Sequence, residues 1–307
     1  MSPLKGIAFK LVAVITFVIM SALIKAAAEH VPPGEAVFFR SLFAIPVILG
    51  WLMLRGDLRT GLKVASPIGH FWRGFVGTTA MGLSFAGLGL LPLPEVTAIS
   101  YAAPILVVVF AAMFLGENVG FFRLGAVAVG LGGVLIVLAP RLSAFTGGNI
   151  EATESLGALV VLAGAGCAAL AQVYIRKLVQ TEQTSAIVFF FSLSATLFSL
   201  LTLPFGWVVP TWSEAGLLIT AGFLGGFAQI MVTSAYRFAD ASVVAPFDYA
   251  SMLFALAIGY MFFDEVPTGS MLLGAAVVIS AGVVIILREH HLGLVRGRAR
   301  KSITPLG

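Results

Sequence analysis

Two stretches, VTAISYAAPILVVVFAAMFLGE (residues 96–117) and VAPFDYASMLFALAIGYMFFDE (residues 244–265), decide how this chain folds. Laid over one another they share Val96/Val244, Tyr101/Tyr249, Ala102/Ala250, Met113/Met261, Phe114/Phe262 and Glu117/Glu265. Each is apolar over most of its length and closes on an acidic residue. At about 1.5 Å per residue, each would cross a hydrocarbon core about 30 Å thick as a helix. The second stretch carries Asp248 well inside the apolar run. A carboxylate at the centre of a membrane helix costs about 2.5–3.5 kcal/mol on insertion scales. Something must offset that cost.

The match extends outward. The same displacement of 148 residues pairs Gly74, Phe75, Gly77 and Ala80 with Gly222, Phe223, Gly225 and Ala228. One inserted residue then brings Gly125, Gly133 and Ile136 onto Gly274, Gly282 and Ile285. Nearer the start, a displacement of 151 pairs Gly6 with Gly157, Ile24 with Ile175, and Val37-Phe38-Phe39 with Val188-Phe189-Phe190. Three stretches in order, at nearly one displacement, make an internal repeat.

Composition sets the solvent. The chain has 307 residues, 59% hydrophobic and 10% charged, with a mean hydropathy of +1.05. A soluble domain carries about 25% charge, so an all-α membrane protein is expected. Apolar runs give ten spans, near 5–28, 35–54, 69–90, 94–115, 119–139, 155–177, 184–204, 213–237, 241–263 and 267–287. The repeat unit is therefore five helices: residues 1–140 and 155–288, joined by a linker at 141–154 and followed by a basic tail at 289–307. Because five is odd, the second copy enters the bilayer from the opposite face, and the repeats are inverted. That arrangement puts binding sites near the midplane, between the copies.

Charge gives the orientation. Lys5, Lys10, Arg55, Arg59, Lys63, Arg73, Arg123, Arg176, Lys177, Arg237 and the basic tail fall on the side of the two termini. Only Lys25, Arg40 and Arg141 fall on the other, where Lys25 and Arg40 fit either snorkelling or the drawing of an anionic group into an outer vestibule. By the positive-inside rule both termini are cytoplasmic in a bacterial inner membrane. The net charge of +4 then reflects topology rather than a nucleic-acid partner. Residues 1–28 mimic a signal peptide, but their counterpart in mid-chain argues for a retained span. Cys167 is the only cysteine and the four histidines lie at segment ends, so neither a metal nor another cofactor is expected.

Pro104, the Gly116-Glu117 ending and the glycine-spaced Gly125–Gly133 helix resemble the EamA repeat of the drug/metabolite transporter superfamily. The second copy departs from the pattern, with Met252 in place of Pro104 and Asp264 in place of Gly116. Its kink is expected at Pro246 instead. GEAVFFRS (34–41), GTTAMGLSFAGL (77–88) and VVAPFDYASMLFA (243–255) are similar to the group that includes riboflavin transporters. The resemblance implies a secondary transporter rather than an enzyme. Its cargo would be a small amphiphilic metabolite, with riboflavin uptake first and export of amino acids or related metabolites as the alternative. Proton coupling and a homodimer are both compatible with it.

The residues expected to carry transport are those that a wet central cavity would keep polar. Asp248 either binds cargo or a proton, or pairs with Lys25, Arg40 or Arg237. An α-helical ninth span would put Ala241, Val244, Asp248, Ser251, Ala255 and Gly259 on one face. Ser100 is the repeat mate of Asp248, and both lie roughly 9–12 Å deep by residue count. Thr78, Gln229 and Gln172 offer hydrogen bonds to a polar ring edge or to a neighbouring helix. Tyr101, Tyr249 and Phe85 offer stacking faces or core packing. Glu117 and Glu265 fit caps or loop structure better than cargo contacts. The stretches GLGLLP (87–92) and GLGGVL (130–135) follow no strand and fit helix packing, not phosphate loops. A membrane transferase would want clustered acids or histidines near one interface, and these are scattered.

Overall fold

A computed structural model describes residues 3–56, 58, 61–115, 121–143, 150–178, 181–238 and 245–302. Among the described residues every regular element is helical. The helices are α1 (Pro3–Ala27), α2 (Pro33–Leu54), α3 (Pro67–Leu90), α4 (Leu93–Ser100), α5 (Ala102–Leu115), α6 (Phe121–Ser143), α7 (Ile150–Leu178), α8 (Thr184–Leu200), α9 (Trp212–Phe238), α10 (Ala250–Phe263) and α11 (Gly269–Ser302). Short 3₁₀ turns occupy Leu203–Phe205 and Ala245–Tyr249.

Among the described residues, four stretches are long and apolar enough to cross a membrane by length and composition: Leu4–Ala27, Pro33–Leu54, Thr153–Ile175 and Trp212–Val232. The fourth expected span is shorter because it is broken. Pro104 has no N–H to give the carbonyl four residues back, at Ser100. The helix stops at Ser100, turns at Tyr101 and restarts at Ala102. In the second half the 3₁₀ turn contains Pro246, and regular helix begins only at Ala250. The α-helical ninth span therefore needs correcting: Asp248 lies in the turn, while Ala241 and Val244 lie outside the described residues.

Two boundaries also differ from the sequence reading. Helical structure in α6 and α7 reaches Ser143 and begins again at Ile150, shortening the expected linker. In α11 the helix continues into the basic tail as far as Ser302.

Helix contacts follow the repeat. The largest pairing is α1 on α9, and its counterpart under exchange of halves is α7 on α3, which also pack closely. Likewise α2 lies on both α8 and α9, and α8 lies on α3. The outer pair α6 and α11 cross at Gly133 and Gly274, where a Cβ on Gly133 would come within 2.9 Å of the Gly274 carbonyl oxygen. Small residues at such a crossing let backbones approach closely. Large apolar side chains such as Trp72, Phe75, Leu197, Leu253 and Phe262 are exposed, as a lipid-facing surface requires.

Carboxylates tie the two ends. At one end Glu35, in the first turn of α2, accepts a hydrogen bond from Val208 N (3.1 Å) in the α8–α9 connection. There too, Lys25 Nζ meets Glu265 Oε1 at 3.0 Å and donates to the carbonyls of Leu88 and Leu91. The second oxygen of Glu265 accepts from Leu93 N at 2.9 Å. At the other end Glu182, just before α8, accepts from Ala65 N and Ser66 N, both at 2.7 Å. These two amides lie in the α2–α3 connection. Each half thus grips the helix–helix connection of the other.

Candidate functional site

The cost of Asp248 has a definite answer. Its Oδ1 lies 2.7 Å from Lys10 Nζ, with the lysine side chain 4% exposed and the aspartate 48%. The expected partners were Lys25, Arg40 or Arg237; the observed one is Lys10. Lys25 is engaged with Glu265, and Arg40 forms no ion pair among the described residues. Lys10 sits on α1 and Asp248 at the entry to α10, so the pair bridges the two halves. An ammonium this deep needs an anion beside it, because withdrawing a charge from water costs several kcal/mol even after relaxation.

Beside this pair the repeat-mate tyrosines meet. The Tyr101 and Tyr249 rings stand edge to face with centroids 5.2 Å apart. The Tyr101 hydroxyl is 2.6 Å from Ser251 Oγ and donates to the Tyr249 carbonyl at 3.3 Å. Ser251 Oγ in turn donates to the Asp248 carbonyl at 2.7 Å. Both tyrosines mark helix breaks, where freed carbonyls need donors. Their hydroxyl and serine partners supply them.

The other expected residues are dispersed. Ser100 Oγ donates to the Val96 carbonyl at 2.6 Å, and Thr78 Oγ1 to the Gly74 carbonyl at 2.7 Å. Both hydroxyls therefore serve their own helix. Gln229 is half-buried in α9, and Gln172 on α7 is exposed rather than enclosed. Phe85 is buried and lines a cavity of about 240 Å³ with Ile24, Ala28, Val31, Ala36 and Leu90. That cavity is apolar and lies at the Lys25 end, between α1, α2 and α3.

By position in the sequence, Arg40 and Arg73 belong near the membrane edges. Both are interior. Arg40 is 5% exposed and Arg73 9%, and neither forms an ion pair among the described residues. Arg40 Nε and both Nε and Nη1 of Arg73 are buried without a hydrogen-bond partner. Arg40 lies on Gly225 of α9, where a Cβ would meet its Nε at 2.9 Å. Arg73 folds along its own helix onto Gly77, where a Cβ would collide with Nη1. Its guanidinium covers the Phe191 ring at 4.0 Å. Gly77 and Gly225 are repeat mates. The available signal was WRGFVG (72–77), an arginine with glycines one and four residues on, which leaves a groove along the helix for a folded-back side chain.

Comparison with known proteins places this geometry. A model of the EamA-like transporter family matches residues 4–139 and again 155–288. The chain belongs to the EamA-like transporter family. Relatives include the pseudopaline exporter CntI of Pseudomonas aeruginosa strain UCBPP-PA14, 31% identical over 283 residues, 91% of this chain and 95% of that protein. The S-adenosylmethionine uptake transporter of Rickettsia prowazekii is 27% identical over 286 residues, 93% of this chain and 94% of that protein. The riboflavin transporter of Rhizobium johnstonii is 29% identical over 289 residues, 93% of this chain and 89% of that one. A protein of known crystal structure covers 94% of this EamA-family chain at a TM-score of 0.63 and 20% identity; it supports the fold alone. Family and relatives alike indicate a multi-pass membrane transporter of small molecules rather than an enzyme.

Proposed function

We propose that this chain is a secondary transporter that moves a small amphiphilic metabolite across the bacterial inner membrane by alternating access. It has ten crossings, two inverted five-helix copies and both termini in the cytoplasm. The observation that carries this reading is the reciprocal grip of the halves. Glu35 of the first half holds the α8–α9 connection at one end, and Glu182 of the second half holds the α2–α3 connection at the other. Two near-equivalent bundles fastened in this way can release one end while the other stays closed. Between the ends lie the Lys10–Asp248 bridge and the two broken helices, where inverted-repeat transporters commonly bind cargo.

Two cargo readings follow. Uptake of riboflavin or a similar planar metabolite rests on the riboflavin transporters among the relatives and on the aromatic lining supplied by Phe85. Export of amino acids or related metabolites is favoured by the two buried arginines, which suit an acid group. The gradient that drives transport is that of protons or of the cargo itself, and Asp248 is the proton site in the first case. A homodimer is compatible with either reading.

Inverted and right-side-out vesicles containing the chain, supplied with labelled riboflavin, amino acids and S-adenosylmethionine, test the proposal. Saturable flux of at least one compound above control vesicles is expected. Equal flux in control vesicles for every compound would remove the transporter reading of this panel.

A further inference from the structure

The Lys10–Asp248 and Lys25–Glu265 charges are balanced within the chain. Arg40 and Arg73 form no ion pair among the described residues. By residue count, Arg40 is about 10 Å along α2 from Pro33 and Arg73 about 9 Å along α3 from Pro67. These helix starts lie at opposite ends of the bundle, since Glu35 sits in the Lys25 end and the α2–α3 connection in the Glu182 end. Arg73 then reaches one turn further inward, onto Gly77. Both guanidiniums therefore approach the middle of the bundle from opposite sides.

A guanidinium held away from water is unfavourable unless an anion joins it. An orientation anchor needs no such burial, since Lys or Arg anchors normally snorkel to the interface. Two further features describe the anion. A guanidinium presents a planar fork of donors that matches a carboxylate or phosphate with two parallel hydrogen bonds. Phe191 lies 4.0 Å beneath the Arg73 guanidinium carbon, and Nε and Nη1 of that fork have no hydrogen-bond partner among the described residues. The glycines at 77 and 225 make room for the two guanidiniums themselves, which lie where a Cβ would stand.

We propose that Arg40 and Arg73 form an anion clamp for the cargo, which belongs to the class of metabolites bearing a carboxylate or phosphate. This deepens the second cargo reading, that of an acid-bearing metabolite, sets aside uncharged riboflavin, and rests on the transporter reading. An anionic lipid headgroup offers the same oxygen chemistry from another source.

The clamp is tested on the full chain in neutral detergent with chloride as the only anion. Citrate, glutamate or inorganic phosphate is then added at matched ionic strength, and the melting temperature is read. At least one oxyanion is expected to raise Tm by about 4 °C through binding to the folded state, and Arg40→Gln and Arg73→Gln should each abolish the rise. In chloride alone these variants should melt no lower than the parent, since each removes a buried charge that has no ion-pair partner among the described residues. An equal rise in parent and variants, or no rise in the parent, overturns the clamp. So does stabilisation by phosphatidylglycerol and not by the soluble anions, which assigns the arginines to lipid. Proteoliposome flux separates the two levels of the argument. Riboflavin moving equally well in the parent and in Arg73→Gln overturns the clamp but keeps the transporter. Oxyanion stabilisation without flux of glutamate, riboflavin 5′-phosphate or riboflavin keeps the clamp and counts against the transporter.

Discussion

Tyr101 and Tyr249 occupy the same position in the two repeats, and their rings stand edge to face with centroids 5.2 Å apart. Each marks the point where its helix is broken, one by Pro104 and the other by the turn containing Pro246. The breaks thus face each other across the seam between the halves. The Tyr249 hydroxyl also abuts Gly282 of α11, the second-half counterpart of Gly133.

This contact predicts a specific coupling. In Gly282→Ala the new methyl would occupy the place of the Tyr249 hydroxyl, and overpacking of this kind costs about 1–3 kcal/mol. Tyr249→Phe removes the clashing oxygen, so the double variant should recover part of the loss. Thermal unfolding of both variants checks it; equal losses in the single and double variants would contradict the contact.

The Lys10–Asp248 bridge makes a second prediction. Asp248→Asn keeps the shape and removes the charge beside a deeply buried ammonium. We expect lower stability and loss, or pH-uncoupling, of transport. Because Asp248 is half exposed and Lys10 is not, Lys10→Met should be the milder change in Tm. Near-normal flux across pH in Asp248→Asn would leave the aspartate a purely structural partner.

The end latches predict local effects. One oxygen of Glu182 accepts two backbone hydrogen bonds, and bonds to a charged acceptor are the stronger kind. Glu182→Gln should cost about 1–3 kcal/mol and speed amide exchange at Ala65 and Ser66. Glu35→Gln should speed exchange at Val208 instead. Exchange that rises at both ends in either variant would mean that the ends do not open separately.

Glu265 predicts a larger loss. It joins Lys25 of α1, the start of α4 and its own connection through one carboxylate. Glu265→Ala leaves the half-buried Lys25 without that anion, a change expected to cost about 3 kcal/mol. Chemical denaturation measures it, and a change under about 0.5 kcal/mol, the range of ordinary surface substitutions, would contradict the role.

Much of the fold was legible because membrane helices need long apolar runs and because the repeat preserves glycines and aromatic residues at matched places. The two halves follow from such signals, whereas the span read as continuous over 94–115 is broken before Pro104. The site was less legible. Asp248 announced itself as a buried charge, yet its partner Lys10 read as an interfacial lysine. Arg40 and Arg73 read the same way. Residue counting gives the depth of a Cα, while the side chain of Arg73 turns inward along the helix onto Gly77. Ser100 read as the mate of Asp248 on a central cavity and Thr78 as a partner for cargo or for a neighbouring helix; a hydroxyl in an apolar helix also readily donates to the carbonyl one turn back. That is what both do.

Alternating access in this chain requires the two copies to enter the membrane from opposite faces. With Cys167 replaced by alanine, single cysteines at Lys63 in the α2–α3 connection and Val209 in the α8–α9 connection mark equivalent positions, and both sites are exposed. A membrane-impermeant maleimide should label Val209→Cys in spheroplasts and Lys63→Cys only after permeabilisation. Labelling of both from the same face would contradict the inverted repeat, and with it the alternating-access mechanism.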